Sequence, residues 1–269
     1  MAGGELPALL RIVRRDGTVD DPEPMDLSTL EDEALIFADL TPADLNQLAE
    51  PWQLMEVISS DARFGVRRAA VKRLYESVDP ERFIEYAHDR LPAERNPWVR
   101  SNLEYYRDLA LGTPRDDAQR TPSSQAEFEY RQNPTAPEWA AVARFREQIS
   151  ESGTAATMLT ALRTHLSNAP ADLVIRRIAA TELTEVAEEE RAVVRDELLE
   201  LLPHETDPSV RMYMAFALAF AAETGDAEVV GLLRSLAAVE PNILLVRPEL
   251  EYLAWSIETG DEDPEHMTR

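Results

Sequence analysis

Cysteine is absent from the 269-residue chain. Disulfide bonds, thiolate metal sites and cysteine nucleophiles are therefore excluded. Glycine is scarce as well, with nine residues, and the sequence contains neither a glycine-rich phosphate loop nor a GxSxG nucleophile motif. Hydrophobic residues make up 44% of the chain and charged residues 29%, which is ordinary for a globular protein.

Lysine is nearly absent, since Lys72 is the only lysine among 27 basic residues. The 51 acidic residues give a formal net charge of -24. Codon usage in a GC-rich genome is one explanation for the arginine bias. We expect the other explanation, a salt-adapted protein whose carboxylate-rich surface stays hydrated in concentrated cytoplasmic salt. At such salt concentrations charges are screened within about 3 Å, so the net charge says little about partners.

Long hydrophobic runs are also missing. The amino-terminal run, residues 6–10, is interrupted by Pro7 and is followed by arginines, which is the wrong order for a secretory signal. The longest apolar run, residues 213–222, is about half of the roughly 20 residues that cross a bilayer. We therefore expect a cytoplasmic protein without a membrane partner.

Five segments share one layout: a polar turn, then Val or Ile followed by Arg, then apolar residues at helical spacing. The segments are 60–74, 95–109, 171–183, 206–218 and the looser 240–255. Their arginines are Arg67, Arg100, Arg176, Arg211 and Arg247. The intervals are 33, 76, 35 and 36 residues, so a degenerate copy is expected near residue 138. Because an amphipathic helix precedes each copy, the pattern predicts an all-α chain of helix pairs.

The segment 207–224 carries the clearest helix start. Asp207 is a good N-cap and Pro208 suits the first helical position. One apolar stripe follows Val210 and Met214, and a second, aromatic stripe contains Tyr213, Phe216 and Phe220. The two stripes predict a helix that is packed between neighbours on both sides.

These segments resemble HEAT repeats, especially the short HEAT-like units first described in phycobilin lyases, over roughly residues 47–259. The resemblance implies a right-handed α-α superhelix of about five to six helix pairs. It also implies a ladder of charge pairs between turn aspartates and second-helix arginines. The matching pairs here are Asp61 with Arg67, Asp172 with Arg176 and Asp207 with Arg211. The second and fifth segments depart from the pattern, with Arg95, Asn96, Pro241 and Asn242 in place of the aspartate.

The chain divides accordingly. Residues 1–46 are acidic, with a capped helix start at their end, and are expected to form a helical cap. Residues 47–111 hold two repeats, and residues 112–137, with four prolines, are predicted to form a loop or an insertion. Residues 138–259 hold the degenerate copy and the remaining repeats, and residues 260–269 are expected to be a frayed acidic tail.

Catalytic chemistry has little support in the sequence. The four histidines, His88, His165, His204 and His266, include no two at ligand spacing. His204 and Glu205 form the chain's single His-Glu sequence pair. We interpret this pair as the solvated end of a helix and not as a metal site. Acidic clusters such as residues 182–190 are interpreted as hydrated surface. We predict no catalytic residue, no metal and no cofactor.

One stretch is basic, with five cations and no acid: Arg63, Arg67, Arg68, Lys72 and Arg73. Like charges one helical turn apart repel, so either acidic neighbours in other repeats or a partner must balance them. Trp98 is similarly either a staple between repeats or an anchor for a partner. Tyr105 and Tyr106 are adjacent and cannot both face a core, so one is a candidate contact. These eight residues are the predicted partner-binding site.

Two functions are consistent with these features. The first is a non-enzymatic scaffold or adaptor that binds another protein along a concave solenoid surface. The second is a DNA-binding protein or alkylpurine DNA glycosylase, because such glycosylases resemble HEAT-like solenoids. The acidic composition favours the scaffold, and a nucleic-acid partner is not expected.

Overall fold

A computed structural model describes residues 40–48, 50–60, 62–113, 121–264 and 267. All regular structure in these residues is helical, which confirms the all-α prediction. The described residues form two compact units, unit 1 with those from 40 to 113 together with 263, 264 and 267, and unit 2 with those from 121 to 262.

Unit 1 is built on two helix pairs. The helices are α1 (Pro51–Ser59), α2 (Phe64–Ser77), α3 (Pro80–Arg90) and α4 (Pro97–Ala110). Within each pair the two helices pack together, and the second helices, α2 and α4, also contact each other. Phe83 and Leu103 are fully buried in the shared core. This core also contains Leu45, which lies in a 3-10 turn, Asp44–Gln47, and Leu40 and Leu48, which lie on either side of that turn.

The expected amino-terminal cap is described only at its carboxyl end. The sequence predicts a helix start at Thr41 and Pro42. In the structure these residues are followed by the 3-10 turn and not by a longer helix. Residues 1–39 lie outside the described part of the chain, and so does Asp61.

Unit 2 contains eight of the helices found in the described residues. They are α5 (Pro122–Gln132), α6 (Ala140–Ser152), α7 (Ala155–Thr164), α8 (Pro170–Glu182), α9 (Arg191–Leu201), α10 (Pro208–Ala221), α11 (Ala227–Val239) and α12 (Val246–Thr259). The last six form consecutive pairs, and the second helices α8, α10 and α12 pack against one another in chain order. The helices α5 and α6 both pack on α8.

The loop prediction for residues 112–137 is wrong over α5. Thr121 caps this helix by accepting a hydrogen bond from the Ser124 N–H, and Pro122 occupies the first helical position. This proline therefore begins a helix instead of breaking one. The buried stripe of α5 is narrow, with Ala126 and Tyr130 as its apolar members, which is why apolar spacing does not reveal it.

The carboxyl end of unit 2 is anchored, contrary to the frayed tail expected from residue 260 onward. Gly260 ends α12 in the left-handed conformation, with φ of 72°. The Tyr252 hydroxyl then donates to the Glu262 carbonyl at 2.6 Å. The chain is therefore held against α12 as far as Glu262.

Candidate binding surfaces

Three arginines of second helices each bind a glutamate of the following pair. We call these contacts the Arg–Glu ladder, and its rungs are Arg67–Glu94 in unit 1 and Arg176–Glu205 and Arg211–Glu240 in unit 2. In every rung the side chains of both residues are at least 85% buried. Glu94 and Glu205 each lie two residues before the N-cap of the next second helix, and Glu240 lies five residues before the N-cap of α12.

The middle rung illustrates the chemistry. The Arg176 Nε lies 2.9 Å from Glu205 Oε2, and Arg176 Nη1 donates to the carbonyls of His165 and Ser167. Glu205 Oε1 also accepts from the Asp207 N–H at 2.8 Å. One rung therefore fixes the turn of its own pair and the helix start of the next.

The Arg–Asp ladder implied by the HEAT resemblance has different acidic partners here. Asp172 binds Ser167 and His165, the latter at 2.8 Å. Burial raises the pKa of Asp172, but these hydrogen bonds outweigh it, so the pKa lies below its ordinary value. Asp207 caps α10 by accepting from the Ser209 and Val210 N–H groups. The turn aspartates hold their own turns, and the glutamates supply the links between pairs.

The ladder glutamates were missed by sequence reasoning, although a signal was present. Each begins a Glu-x-Asn or Glu-x-Asp triplet, at residues 94–96, 205–207 and 240–242. They follow their arginines by 27, 29 and 29 residues. A search for acids 27 to 29 residues after the repeated arginines would have found them.

The predicted basic patch on α2 is divided between interior and surface. Arg67 is buried, with 3% exposed, and its Nε also donates to the Ile58 carbonyl, so it is not available to a partner. Lys72 is 60% exposed and lies 3.8 Å from Glu76. Arg63 is exposed, and Arg68 and Arg73 are half-buried. The other four cations therefore remain candidates for contact.

Trp98 lies between the two pairs of unit 1. Its ring stacks on Phe64, with ring centroids 4.9 Å apart, and 6% of the residue is exposed. Trp98 therefore joins the starts of α2 and α4, which is the staple interpretation, and it is not an exposed anchor.

Tyr105 and Tyr106 are both half-buried. The Tyr106 ring lies 5.0 Å from Tyr75 and 5.1 Å from Tyr105. Burial raises the pKa of Tyr106, and the charge of Arg68 opposes this rise. Arg68, Lys72 and Tyr75 lie on one side of α2 at helical i, i+4 and i+7 spacing. Together with Tyr105 and Tyr106 they form the surface that we call the α2/α4 surface.

Unit 2 has an aromatic surface that differs from the prediction for α10. The stripe of Val210 and Met214 is buried as expected. The aromatic stripe is not fully buried, because Tyr213 and Phe216 are half-buried and Phe220 is 60% exposed. The helix packs against both α8 and α12, as predicted, but its aromatic stripe is only partly covered, and Phe220 is its most exposed member.

A groove of about 480 Å³ lies between α10 and α12. Its apolar lining includes Phe216, Phe220, Tyr252, Leu253 and Ile257. We call it the α10/α12 groove. A second hollow, of about 580 Å³, adjoins it and shares Phe220, so this ring forms a ridge between the two hollows.

Other features of the described residues bear on chemistry. His88 lies 3.3 Å from Asp89 on the surface, and His204 ends the 3-10 turn after α9, whereas His266 lies outside the described residues. Where the chain is described, no three His, Cys, Asp or Glu residues are grouped as metal ligands, and no helix could span a membrane. Comparison of the chain with protein-family models, curated proteins and solved structures found no match.

Proposed function

We propose that this chain is a non-enzymatic, cytoplasmic protein-binding scaffold, built as a right-handed superhelix of HEAT-like helix pairs. The observation that carries the proposal is the Arg–Glu ladder together with the packing of α8, α10 and α12 in chain order. A repeat of this kind needs its neighbours to cover its apolar faces, and stacking generates an extended binding surface.

The side chains on the second helices support a protein partner. The α2/α4 surface combines tyrosines with arginine and lysine, and the α10/α12 groove is lined by aromatic rings. Aromatic residues and arginine are enriched at protein interfaces and provide most of their binding energy. Both surfaces therefore have the composition of contact sites.

Partner capture tests the proposal. We expect the wild-type protein, immobilised in about 1 M KCl where screening suppresses non-specific attraction, to retain a specific protein from its native extract. Charge reversal at Arg68 and Lys72 should abolish or weaken this retention, because both lie on the α2/α4 surface. The matched control is Arg82→Glu, a charge reversal at an exposed position on the first helix α3.

Retention that is equal in all three proteins would remove the α2/α4 surface from the proposal. The absence of any specific retained protein, in low and in high salt, would contradict the scaffold function itself. Melting curves of the variants, recorded in the same buffer, separate a lost contact from a lost fold.

We also propose that the protein is adapted to high salt, on the basis of its charge of -24 and its single lysine. The melting temperature should rise by about 5 °C between dilute buffer and 2 M KCl, equivalent to roughly 2 kcal/mol for a chain of this size. Simple screening is nearly complete at about 1 M, where the Debye length is about 3 Å. Salt adaptation therefore requires a continued rise above 1 M, and an unchanged melting temperature would contradict it.

A further inference from the structure

The aromatic stripe of α10 is only partly covered within unit 2, and its exposure is greatest at Phe220. Phe220 is 60% exposed, and the half-buried Phe216 lies one turn earlier on the same side of the helix. Single exposed apolar residues are ordinary, but a contiguous apolar patch with a polar rim is typical of a contact site.

The α10/α12 groove has the dimensions of a binding site. Its volume of about 480 Å³ falls within the roughly 300–1,000 Å³ of typical ligand pockets. Leu253 and Ile257 are largely buried, at 6% and 8% exposure, and they form its floor. Three aromatic rings line the groove beside this floor, those of Phe216, Phe220 and Tyr252. The groove can therefore accept branched apolar side chains.

Charge narrows the choice of occupant. The two charged residues that line the groove, Glu223 and Glu262, are both acidic and both exposed. A phosphate or a carboxylate in direct contact with this rim would be repelled by Glu223 and Glu262, because salt screens charges least at contact distance. A segment with lysine or arginine beside its apolar residues would instead be complementary.

The backbone structure around the groove also restricts the conformation of a bound peptide. The described residues contain no β-strand, so an extended peptide would find no sheet edge to join there. Proline-rich segments dock on aromatic rings, whereas an amphipathic helix docks in an apolar groove with anchors at positions i, i+3, i+4 and i+7. The aliphatic floor of Leu253 and Ile257 between two helices favours the amphipathic helix.

We propose that the α10/α12 groove binds a cationic amphipathic helix of a partner protein, with leucine-like side chains against Phe220 and Tyr252 and lysine or arginine beside Glu223 and Glu262. This inference rests on the scaffold function and names the class of partner segment for unit 2. Phe220 is the central anchor, because it borders both the groove and the adjoining hollow.

Synthetic peptides test the proposal without knowledge of the natural partner. The probe is a fluorescent 14-residue peptide with leucine at helical i, i+3, i+4 and i+7 spacing and lysine elsewhere. One comparison peptide replaces lysine with glutamate, and the other replaces leucine with alanine. Fluorescence anisotropy in about 1 M KCl measures the affinities, since this salt screens general attraction to an acidic protein. We expect each replacement to weaken binding by about tenfold or more.

Protein variants locate the contact. Phe220→Ala should weaken binding of the leucine–lysine peptide by about tenfold or more, as expected for an interface anchor. The matched control is Val239→Ala, which truncates a side chain that is 77% exposed at the end of α11, and its affinity should stay within about twofold. Substitution of Glu223 and Glu262 by glutamine should weaken the same peptide, because the cationic flank loses its complement.

Equal affinity of the wild type and Phe220→Ala would overturn the groove as the site, and equal binding of the leucine and alanine peptides would overturn the apolar anchor. Preference for the glutamate peptide would overturn the cationic flank. A specific partner that wild-type protein and Phe220→Ala retain equally would leave the scaffold function standing while the groove proposal fails.

Discussion

Replacement of Glu205 by leucine is expected to lower the free energy of unfolding by about 3–4 kcal/mol. The substitution leaves the Arg176 guanidinium buried without its carboxylate, and removal of one partner from a buried ion pair typically costs about 3–5 kcal/mol. It also removes the acceptor of the Asp207 N–H. Urea unfolding followed by circular dichroism measures the change.

Two further variants test this explanation. The double substitution of Arg176→Met with Glu205→Leu should recover more than half of the loss, because apolar residues of similar volume often replace a buried pair with little cost. Glu258→Leu removes one partner of the half-exposed Arg234–Glu258 pair, which should cost at most about 1 kcal/mol. An equal loss for Glu205→Leu and Glu258→Leu would mean that the Arg–Glu ladder does not support the fold.

Asp207→Ala is the second substitution with a large expected effect, about 3 kcal/mol. Its carboxylate caps α10 and also accepts from the backbone N–H and the hydroxyl of Ser123, at 2.9 and 2.6 Å. Loss of a helix cap costs about 1 kcal/mol, and each buried donor left without an acceptor costs about 1–3 kcal/mol. Because Ser123 lies at the start of α5, amide hydrogen exchange should accelerate in α5 as well as in the first turn of α10.

Asp226→Ala is the matched control for Asp207→Ala. Asp226 caps α11 in the same way, by accepting from the Glu228 and Val229 N–H groups. Its other partner is the side chain of Arg195, which is more exposed than Ser123, the corresponding partner of Asp207. We expect a loss of about 1–2 kcal/mol and unchanged exchange in α5. Faster exchange in α5 for both variants would indicate general loosening, and it would contradict a specific tie between Asp207 and α5.

The helices with wide apolar stripes could be predicted from the sequence, and α5 could not. The spacing of Val210, Met214 and Leu218 identifies α10 because each lies one turn after the last. A short stripe such as Ala126 and Tyr130 in α5 carries too little periodicity to outweigh the surrounding prolines. Its burial depends on contact with α8, which is far away in sequence.

The sequence predicted helices better than it predicted binding surfaces. Arg67 and Lys72 belong to one basic run, but their different angular positions on α2 make the first a buried rung and leave the second exposed. Periodicity likewise revealed that α10 has two apolar stripes, but it could not reveal that neighbouring helices bury one stripe and cover the other only in part. The extent of burial depends on the tertiary arrangement, which leaves Phe220 exposed.

Every rung of the Arg–Glu ladder joins an arginine on one second helix to a glutamate in the segment before the next second helix. A duplicated pair inserted between two existing pairs would bring its own glutamate for the preceding arginine and its own arginine for the following glutamate. The chain could thus grow or shrink by whole pairs during evolution without leaving a buried charge stranded at the junction.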